Sequence, residues 1–267
     1  MPGEILLEAR ALSKSYSVST GVFTQSARRA LAVDGVSFAL GRGETLGIVG
    51  ESGCGKTTLA RMIMRLVEPD SGEIIFRGQD WLGARGAQLR SLRRRMQMVF
   101  QDPIASLNPR MRVGSIVGEP LAIHEPQLSG EERAGRTAEI LEAVGLGREA
   151  VTRFPHEFSG GQRQRIGIAR ALILRPELVI ADEPVSALDV SVGAQILELL
   201  ARLQREFSLT LMLISHSLPV VAQLASRVAV MQTGRIVEIG AAGQVLQAPQ
   251  HPYTQALLAA VPEIPAS

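Results

Sequence analysis

Apolar residues in this chain occur in two patterns: short runs, some of them broken by one or two polar residues, and longer stretches in which apolar residues recur at helical spacing. A run of about four to eight apolar residues between turn residues is typical of a buried β-strand. Such runs predict strands at residues 5–12, 33–40, 46–49, 73–76, 96–101, 178–183 and 209–215, and a hairpin over 228–231 and 235–238. The helical spacing predicts helices at 57–66, 89–95, 131–144 and 192–207, and one after Ser159 that ends at 174. This mixture of strands and helices indicates an α/β fold.

The pattern changes between residues 102 and 174. Helical spacing replaces the short apolar runs there, and the stretch is punctuated by Pro103, Pro109, Pro120 and Pro126. Because strand-like runs resume afterwards, we interpret 102–174 as a mostly helical subdomain inserted into a single domain that spans 1–267. The α/β core then comprises 1–101 and 175–240, and 241–267 forms a C-terminal appendage of helix and loop.

The segment LGIVGESGCGKTTL at 46–59 contains the pattern of a phosphate-binding loop, with Gly50, Gly55, Lys56 and Thr57 at the required spacing. Glycines let successive backbone N–H groups point at an anion, and the helix that follows adds its positive end. Lys56 is expected to reach the β- and γ-phosphates, and Thr57 to offer its hydroxyl to Mg²⁺. The alternative is a chance match in an ordinary strand–turn–helix connection, which the predicted flanking elements disfavour. The residues expected to contact the nucleotide here are Gly50, Glu51, Ser52, Gly53, Cys54, Gly55, Lys56, Thr57 and Thr58.

Lysine usage supports the phosphate site. Lys14 and Lys56 are the only lysines of the chain, and arginine supplies the other permanent positive charges. A compact ammonium fits where a planar guanidinium does not, so the lysine at position 56 is consistent with a requirement for a small point charge.

Polar residues end three of the predicted strands. Asp182 and Glu183 end the strand 178–183, where Asp182 can hold Mg²⁺ and Glu183 can polarise the attacking water as general base. Gln101 ends the strand 96–101 and can reach Mg²⁺ or a water near the γ-phosphate, since ligands of open α/β sheets bind at strand ends. His216 follows the strand 209–215 and can contact the γ-phosphate. The alternatives are solvated acids, a strand-end glutamine satisfied within the fold, and a structural histidine.

The segment Ser159-Gly160-Gly161-Gln162 predicts a helix start. Ser159 is a suitable N-cap residue, and Gln162, three positions later, completes a capping box. Glycines at a helix N-terminus leave N–H donors open to an anion, which makes this a second candidate phosphate site. A capped helix without a ligand is the alternative.

Tyr16 lies at the end of the first predicted strand, in a chain that is only 4% aromatic. A tyrosine ring near a nucleotide loop can stack on adenine, because every base offers a π-face. A tyrosine at a strand edge without a ligand is the alternative.

Composition narrows the class of protein. The net charge of +2 is nearly balanced, so no nucleic-acid partner is expected. We interpret the arginine-rich segment 90–95 as a solvated helix face, with a binding patch as the alternative. Cys54 is the only cysteine, which excludes an internal disulfide and fits a reducing compartment. No secretory segment and no apolar stretch of membrane-spanning length is evident, so work at a membrane requires docking to other chains.

Taken in order, these motifs resemble the ATP-binding subunits of ATP-binding-cassette (ABC) transporters, and the resemblance covers nearly the whole chain. Within that family the chain is most similar to the ATPases of oligopeptide, dipeptide and nickel importers, through GESGCGKTTLAR, QDPIASLNPRM and HPYTQALLAAVP. The resemblance implies a P-loop NTPase core with a mixed sheet, an N-terminal antiparallel β subdomain and an inserted α-helical subdomain. By this resemblance, Tyr16 is expected to stack on adenine, residues 50–57 correspond to the Walker A loop, and Gln101 corresponds to the Q-loop. The family signature corresponds to Ser159, Gly160, Gly161 and Gln162, and the D-loop to residues 186–189, which include Asp189. Asp182 corresponds to the Walker B aspartate, Glu183 to the catalytic carboxylate and His216 to the switch histidine.

The same resemblance implies a mechanism and partners. Two ATPase subunits, identical or homologous, pair head to tail with ATP and Mg²⁺ between the phosphate loop of one and the signature segment of the other. ATP binding closes this sandwich and hydrolysis reopens it. The subdomain 102–174 is expected to dock on two integral membrane permease subunits at the cytoplasmic face of the plasma membrane, with an extracytoplasmic solute-binding protein as an indirect partner. The expected activity is ATP hydrolysis that drives import of di- or oligopeptides, with nickel or another small solute as the alternative.

The chain departs from the family pattern in two ways, and two other functions are alternatives to peptide import. Ser217 follows His216 where the family usually has aspartate, and we expect little effect on hydrolysis. The chain also lacks the cysteine group that some members carry near the C-terminus, so no iron–sulfur cluster is expected. The rivals are a non-transport ABC ATPase and a regulatory module that binds ATP without hydrolysing it. The intact Asp182-Glu183 pair argues against the regulatory module.

Overall fold

The computed structural model describes residues 4–18 and 28–260 of the 267-residue chain. Its strands are β1 (Ile5–Val18), β2 (Arg28–Gly41), β3 (Thr45–Val49), β4 (Ser71–Phe76), β5 (Gln79–Asp80), β6 (Met96–Val99), β7 (Leu178–Asp182), β8 (Thr210–Ser215), β9 (Arg227–Gln232) and β10 (Arg235–Ala241). Its α-helices are α1 (Lys56–Ile63), α2 (Gly86–Arg95), α3 (Pro103–Ser106), α4 (Val113–His124), α5 (Gly130–Ala143), α6 (Gly160–Leu172), α7 (Val190–Glu206), α8 (Leu218–Ala222), α9 (Ala242–Gln247) and α10 (Pro252–Ala259). Short 3₁₀ segments lie at Arg148–Thr152 and Pro155–Glu157.

The chain folds as two compact units, with a boundary between residues 84 and 85 and another inside β8, between 212 and 213. We call them the terminal unit, which holds both ends of the described chain, and the central unit, which holds the residues between the boundaries. The central unit contains the predicted helical subdomain together with β6 and β7.

An antiparallel sheet with the strand order β2-β1-β4-β5 forms the N-terminal part of the terminal unit. Its longest pair, β1 and β2, runs from Ile5 opposite Gly41 to Val18 opposite Arg28. The predicted strands 5–12 and 33–40 are therefore too short. The predicted surface loop 17–29 is wrong at both ends, since Ser17 pairs with Arg29, and residues 19–27 lie outside the described chain. The strand ends could not be recognised from the sequence because they contain polar side chains, which are common on the solvent-facing side of an antiparallel sheet.

A second set of strands in the terminal unit carries the phosphate-loop segment. β9 lies between β10, with which it pairs antiparallel, and β3, with which it pairs in parallel, so this sheet is mixed. All five residues of β3 are buried, which explains its uninterrupted apolar sequence. The short helix α1 follows β3 and buries Leu59, Ala60, Met62 and Ile63.

The central unit combines a parallel strand pair with helices. β6 and β7 pair in parallel, with Met96 opposite Leu178 and Val99 opposite Ala181. Helices α4, α5 and α6 pack against one another, and α6 also contacts β6 and α7. The buried Glu125 carboxylate, whose side chain is 6% exposed, pairs with both Arg94 and Arg136. Arg94 belongs to the segment 90–95 that is predicted as a solvated face, and its side chain is 44% exposed, so the ion pair joins this exposed face to a buried carboxylate.

The architecture confirms the predicted fold class, an α/β protein with a mixed sheet, an antiparallel N-terminal sheet and a helical subdomain. Helix α1 ends at Ile63 rather than at 66, and β6 ends at Val99 rather than at 101. Among the described residues, no helix is both long enough and apolar enough to cross a membrane.

Candidate functional site

The turn between β3 and α1 requires glycine at two positions. Gly50 has φ +154°, and an added Cβ would lie 2.1 Å from the carbonyl oxygen of Met231. Gly55 has φ +111°, and its Cβ would lie 2.0 Å from the carbonyl oxygen of Ala32. The turn between β3 and α1 therefore lies in close contact with the backbones of β9 and β2. Only glycine permits both this close backbone contact and the left-handed dihedral angles.

Lys56 is held inside this turn. Its Nζ donates hydrogen bonds to the carbonyl oxygens of Gly50 at 2.7 Å and Glu51 at 2.8 Å. The residue is 5% exposed. These carbonyl oxygens are neutral and do not cancel the ammonium charge, which can therefore attract phosphate.

The N-terminus of α1 faces the same turn. Gly55 is its N-cap residue, and no side chain of residues 4–18 or 28–260 caps it. The first N–H groups of a helix lack intrahelical partners, so they are available to an anion. Glu51, Ser52 and Gly53 are exposed, which leaves the turn open to solvent on this side. The backbone and charge of this segment therefore fit the phosphates of a nucleotide.

Cys54 belongs to the buried side of the turn. Its Sγ lies 3.8 Å from the Nζ of Lys56, and the residue is 8% exposed. Burial raises the pKa of the Cys54 thiol, although the Lys56 ammonium counteracts this shift. Cys54 therefore stays a neutral thiol near pH 7 and does not itself cancel the charge of Lys56.

A tyrosine of the C-terminal appendage contacts the turn. The N–H of Glu51 donates a hydrogen bond to the Tyr253 hydroxyl oxygen at 3.2 Å. The sequence alone predicts no role for Tyr253. The sequence predicts only an appendage of helix and loop over 241–267, and nothing in the spacing of its residues indicates a contact with Glu51.

Tyr16 lies within β1, opposite Ala30, two residues before the strand ends. The residue is 42% exposed, which leaves area for stacking. The Nζ of Lys14 lies 5.9 Å from the ring centroid and forms an ion pair with Asp70 at 2.8 Å. The hydrogen bond from Lys14, followed by those from Ser15, lowers the pKa of Asp70 well below its ordinary value.

His216 immediately follows β8 in the terminal unit and is exposed. The next residue, Ser217, precedes α8, and its N–H donates to the Ser215 hydroxyl oxygen at 3.0 Å. The histidine is therefore presented at the carboxyl end of a buried strand, as predicted for a residue that contacts a ligand.

The central unit holds the predicted acids and Gln101 at one edge of its strand pair. Val99 and Ala181 are opposite each other in parallel strands, and Gln101 and Glu183 each follow two residues later. Asp182, the last residue of β7, is 3% exposed, and Glu183 is 8% exposed. Glu183 has φ +48°, so the strand ends one residue earlier than predicted, and the carbonyl oxygen of Glu183 accepts from the Ser186 hydroxyl at 3.1 Å.

The Ser159 segment forms the predicted capped helix start of α6. Ser159 Oγ accepts from the Gln162 N–H at 3.3 Å, and Gln162 Oε1 accepts from the Ser159 N–H at 3.0 Å. Ser159, Gly160 and Gln162 are exposed, whereas Gly161 is buried. A Cβ on Gly161 would lie 2.4 Å from Val192 Cγ1, so glycine here lets α6 approach α7 closely.

Asp189 has a structural partner of its own. Its Oδ1 accepts from the Val192 N–H at 2.9 Å and from the Ser191 hydroxyl at 2.8 Å, which makes Asp189 the N-cap of α7. These hydrogen bonds, first that from Val192, lower the pKa of Asp189. The segment before α7 also approaches the start of α6, where Leu188 Cδ2 would lie 3.4 Å from a Cβ on Gly160.

The predicted site residues therefore form two sets. The terminal unit holds Tyr16, the turn from Gly50 to Thr58, and His216. The central unit brings the start of α6 together with the segment before α7, and places Gln101 at the same strand edge as Asp182 and Glu183.

Comparisons with known proteins identify the family. The model of the ABC transporter family matches residues 33–186, and that of the oligopeptide/dipeptide transporter C-terminal region matches 237–267. The chain is 52% identical over 260 residues to the oligopeptide transport ATP-binding protein AppF of Bacillus subtilis, covering 97% of this chain and 79% of that protein. It is 51% identical over 260 residues to the dipeptide transport ATP-binding protein DppF of Haemophilus influenzae, with 97% and 79% covered.

Solved structures agree with this result. The ATP-binding cassette MJ0796, solved as a dimer bound to ADP and Pi in a post-hydrolysis state, superimposes with a TM-score of 0.78 at 28% identity. The match covers 89% of this chain and 99% of that one. A TM-score of 0.77 relates the chain to cbiO1 of Clostridium perfringens, part of the ABC transporter complex cbiONQ, at 28% identity with 92% of each chain covered. The chain therefore belongs to the ABC transporter family, as one of its ATP-hydrolysing cassettes.

Proposed function

We propose that this chain powers the import of di- and oligopeptides as the ATPase subunit of a membrane-embedded transporter. The observation that carries the proposal is its similarity, over 97% of its length, to oligopeptide and dipeptide transport ATP-binding proteins. The match of residues 237–267 to the C-terminal region of oligopeptide/dipeptide transporters supports the same class of solute.

In the proposed reaction, Lys56 and the N–H groups at the start of α1 bind the β- and γ-phosphates of ATP. Glu183 accepts a proton from the water that attacks the γ-phosphorus, and Gln101 orients that water. His216 donates a hydrogen bond to the γ-phosphate as charge develops on it. Hydrolysis is thus accelerated by positioning and by electrostatic stabilisation of the transition state.

Mg²⁺ is the metal that fits the proposed ligands Thr57, Gln101 and Asp182. A hydroxyl, an amide oxygen and a carboxylate are all oxygen donors, which Mg²⁺ prefers. The buried Asp182 carboxylate supplies the negative charge of this set. When bound, Mg²⁺ would neutralise part of the phosphate charge.

The second half of the proposed ATP site comes from another ATPase subunit. Ser159, Gly160 and Gln162 are exposed at the N-terminus of α6, where N–H donors can meet the γ-phosphate of a nucleotide bound to a partner. Asp189, as the N-cap of α7, fixes the adjoining D-loop. The dimer formed by the related cassette MJ0796 supports such pairing. The partner is either a second copy of this chain or a homologous ATPase.

The remaining partners follow from the transport function. The helical subdomain 102–174 is proposed to dock on two integral membrane permease subunits, which keeps the chain at the cytoplasmic face of the plasma membrane. An extracytoplasmic solute-binding protein would deliver the peptide to those permeases. Closure of the ATPase pair is thereby converted into alternating access of the transport path.

Uptake by intact cells tests which solute the transporter carries, a peptide or nickel. Cells that produce Glu183→Gln in place of the natural chain are supplied with a labelled oligopeptide or with labelled nickel, and accumulation is measured over time. We expect peptide uptake to fall to the level of cells that lack the chain, while nickel uptake stays unchanged. Loss of nickel uptake with normal peptide uptake would contradict the proposal and support the nickel alternative.

Replacement of Tyr16 tests adenine stacking. Tyr16→Ala is expected to weaken ATP binding by about 1–3 kcal/mol, roughly five- to 150-fold, because base–aromatic stacking typically contributes that much. Binding of inorganic tripolyphosphate, which has no base, is expected to be the same in both proteins. Fluorescence titration with each ligand measures the difference. Unchanged ATP affinity would make Tyr16 a structural residue of the strand.

A further inference from the structure

One peptide group of the phosphate-binding turn is held from both sides. The carbonyl oxygen of Gly50 accepts from Lys56 Nζ at 2.7 Å, and the N–H of Glu51, in the same peptide group, donates to the Tyr253 hydroxyl oxygen at 3.2 Å. This peptide lies where the chain leaves β3 and begins to curl around the phosphate site. Its orientation therefore affects every N–H group that follows in the turn.

Tyr253 is itself fixed to the sheet that carries the turn. The carboxylate of Glu238 on β10 accepts from the N–H groups of Gln250 at 2.9 Å and His251 at 3.0 Å. His251 Nδ1 accepts from the Tyr253 N–H at 3.2 Å and so caps α10. Since β10 pairs with β9, and β9 with β3, the tyrosine and the turn share one framework.

The charge states of these groups suit such an anchor. Burial would raise the pKa of Glu238, but the hydrogen bonds from the N–H groups of Gln250 and His251 outweigh this effect and lower the pKa. Burial raises the pKa of Tyr253, as do the nearby Glu51 and Cys54 side chains, against the effect of the Glu51 N–H. At neutral pH the anchor is thus an ionised carboxylate, and the hydroxyl is neutral.

We propose that Tyr253 is a positioning residue for the phosphate-binding turn, so that the C-terminal appendage is part of the nucleotide site. Lys56 Nζ has three N–H donors, and two of them now engage the carbonyl oxygens of Gly50 and Glu51. A phosphate competes for these donors, which loosens the hold of Lys56 on the turn. Tyr253 does not depend on that ammonium and keeps the Gly50–Glu51 peptide in place. This proposal rests on the proposed function, since it requires ATP in the turn.

Tyr253→Phe in the full-length chain isolates the hydroxyl, because the ring and its packing are retained. A neutral hydrogen bond typically contributes enough to change affinity about two- to tenfold. We therefore expect the KM for ATP to rise by that factor while kcat changes less than about twofold, since no catalytic group is removed. Gln255→Ala is the matched control, because it removes a hydrogen bond from the same helix, to the carbonyl oxygen of Pro249, without touching the turn.

Nuclear magnetic resonance provides a second measurement. The chain has two tyrosines, so ¹³C-tyrosine labelling gives two sets of signals that Tyr253→Phe assigns. Addition of inorganic pyrophosphate with Mg²⁺ is expected to shift the Tyr253 signal through the Glu51 hydrogen bond and to leave Tyr16 unmoved, because pyrophosphate has no base.

The outcomes separate this proposal from the proposed function. A normal KM in Tyr253→Phe together with a pyrophosphate-insensitive Tyr253 signal would overturn the positioning role. A normal KM in Tyr253→Phe with a raised KM in Tyr253→Leu would also overturn it, by assigning the effect to ring packing. Failure of the natural chain to bind or hydrolyse ATP would instead overturn the proposed function, and the positioning role with it.

Discussion

Glu183→Gln is expected to bind ATP with nearly natural affinity but to hydrolyse it at least about a hundredfold more slowly. A positioned general base typically contributes about a hundredfold to ten-thousandfold to the rate, and glutamine cannot accept the proton of the attacking water. The substitution keeps the size and shape of a side chain that is 8% exposed, so the fold should tolerate it. Phosphate release and equilibrium ATP binding, measured on the same preparation, separate the two effects.

Glu206→Gln is the matched control for this prediction. Glu206 lies at the end of α7 and pairs on the surface with Arg202 at 3.3 Å, far along the chain from the proposed site. Removal of one exposed pair should leave both ATP binding and turnover unchanged. Near-normal hydrolysis by Glu183→Gln would show that another group activates the water.

Gly55→Ala is expected to abolish tight ATP binding and to destabilise the protein. The new Cβ would lie 2.0 Å from the carbonyl oxygen of Ala32 and 2.8 Å from Met231 Cε, so the backbone of the turn must move. The φ of +111° adds strain of about 1–3 kcal/mol for a residue with a side chain. Displacement of one or two N–H groups that hold phosphate should weaken binding roughly ten- to ten-thousandfold.

Gly43→Ala separates the clash from the dihedral strain. Gly43 has φ +70°, yet an added Cβ would meet no atom within 4 Å. We expect this control to lose about 1 kcal/mol of stability through strain alone and to keep its ATP affinity. Thermal unfolding and ATP titration compare the two variants. Natural ATP affinity in Gly55→Ala would mean that the close approach to Ala32 does not shape the phosphate site.

Local sequence patterns predicted the parts of the site that local chemistry determines. The apolar run 46–49 became β3, and Ser159 with Gln162 formed the predicted capping box. In both cases the deciding interactions lie within a few residues, where burial, capping and glycine geometry act directly. The phosphate turn was predicted for the same reason.

Other features depend on partners that are distant in sequence. The polar character of residues 17 and 29 predicts a loop, but pairing between β1 and β2 extends the strands through both residues. Helix α4 was not located because Gly114, Gly118 and Pro120 interrupt its pattern, whereas packing of Ile116, Val117 and Leu121 stabilises it. The contact of Tyr253 with Glu51 joins positions 202 residues apart, which no periodicity encodes.

Recovery of partners from native membranes tests the central claim most directly. Tagged Glu183→Gln protein is incubated with ATP and Mg²⁺ in detergent-solubilised native membranes, and the proteins that co-purify are identified by mass. We expect two polytopic membrane proteins and an ATPase partner, either a homologue or a second copy of this chain, because ATP without turnover holds the closed complex together. Recovery of soluble proteins only would contradict the transport function, while leaving the ATPase chemistry of the chain intact.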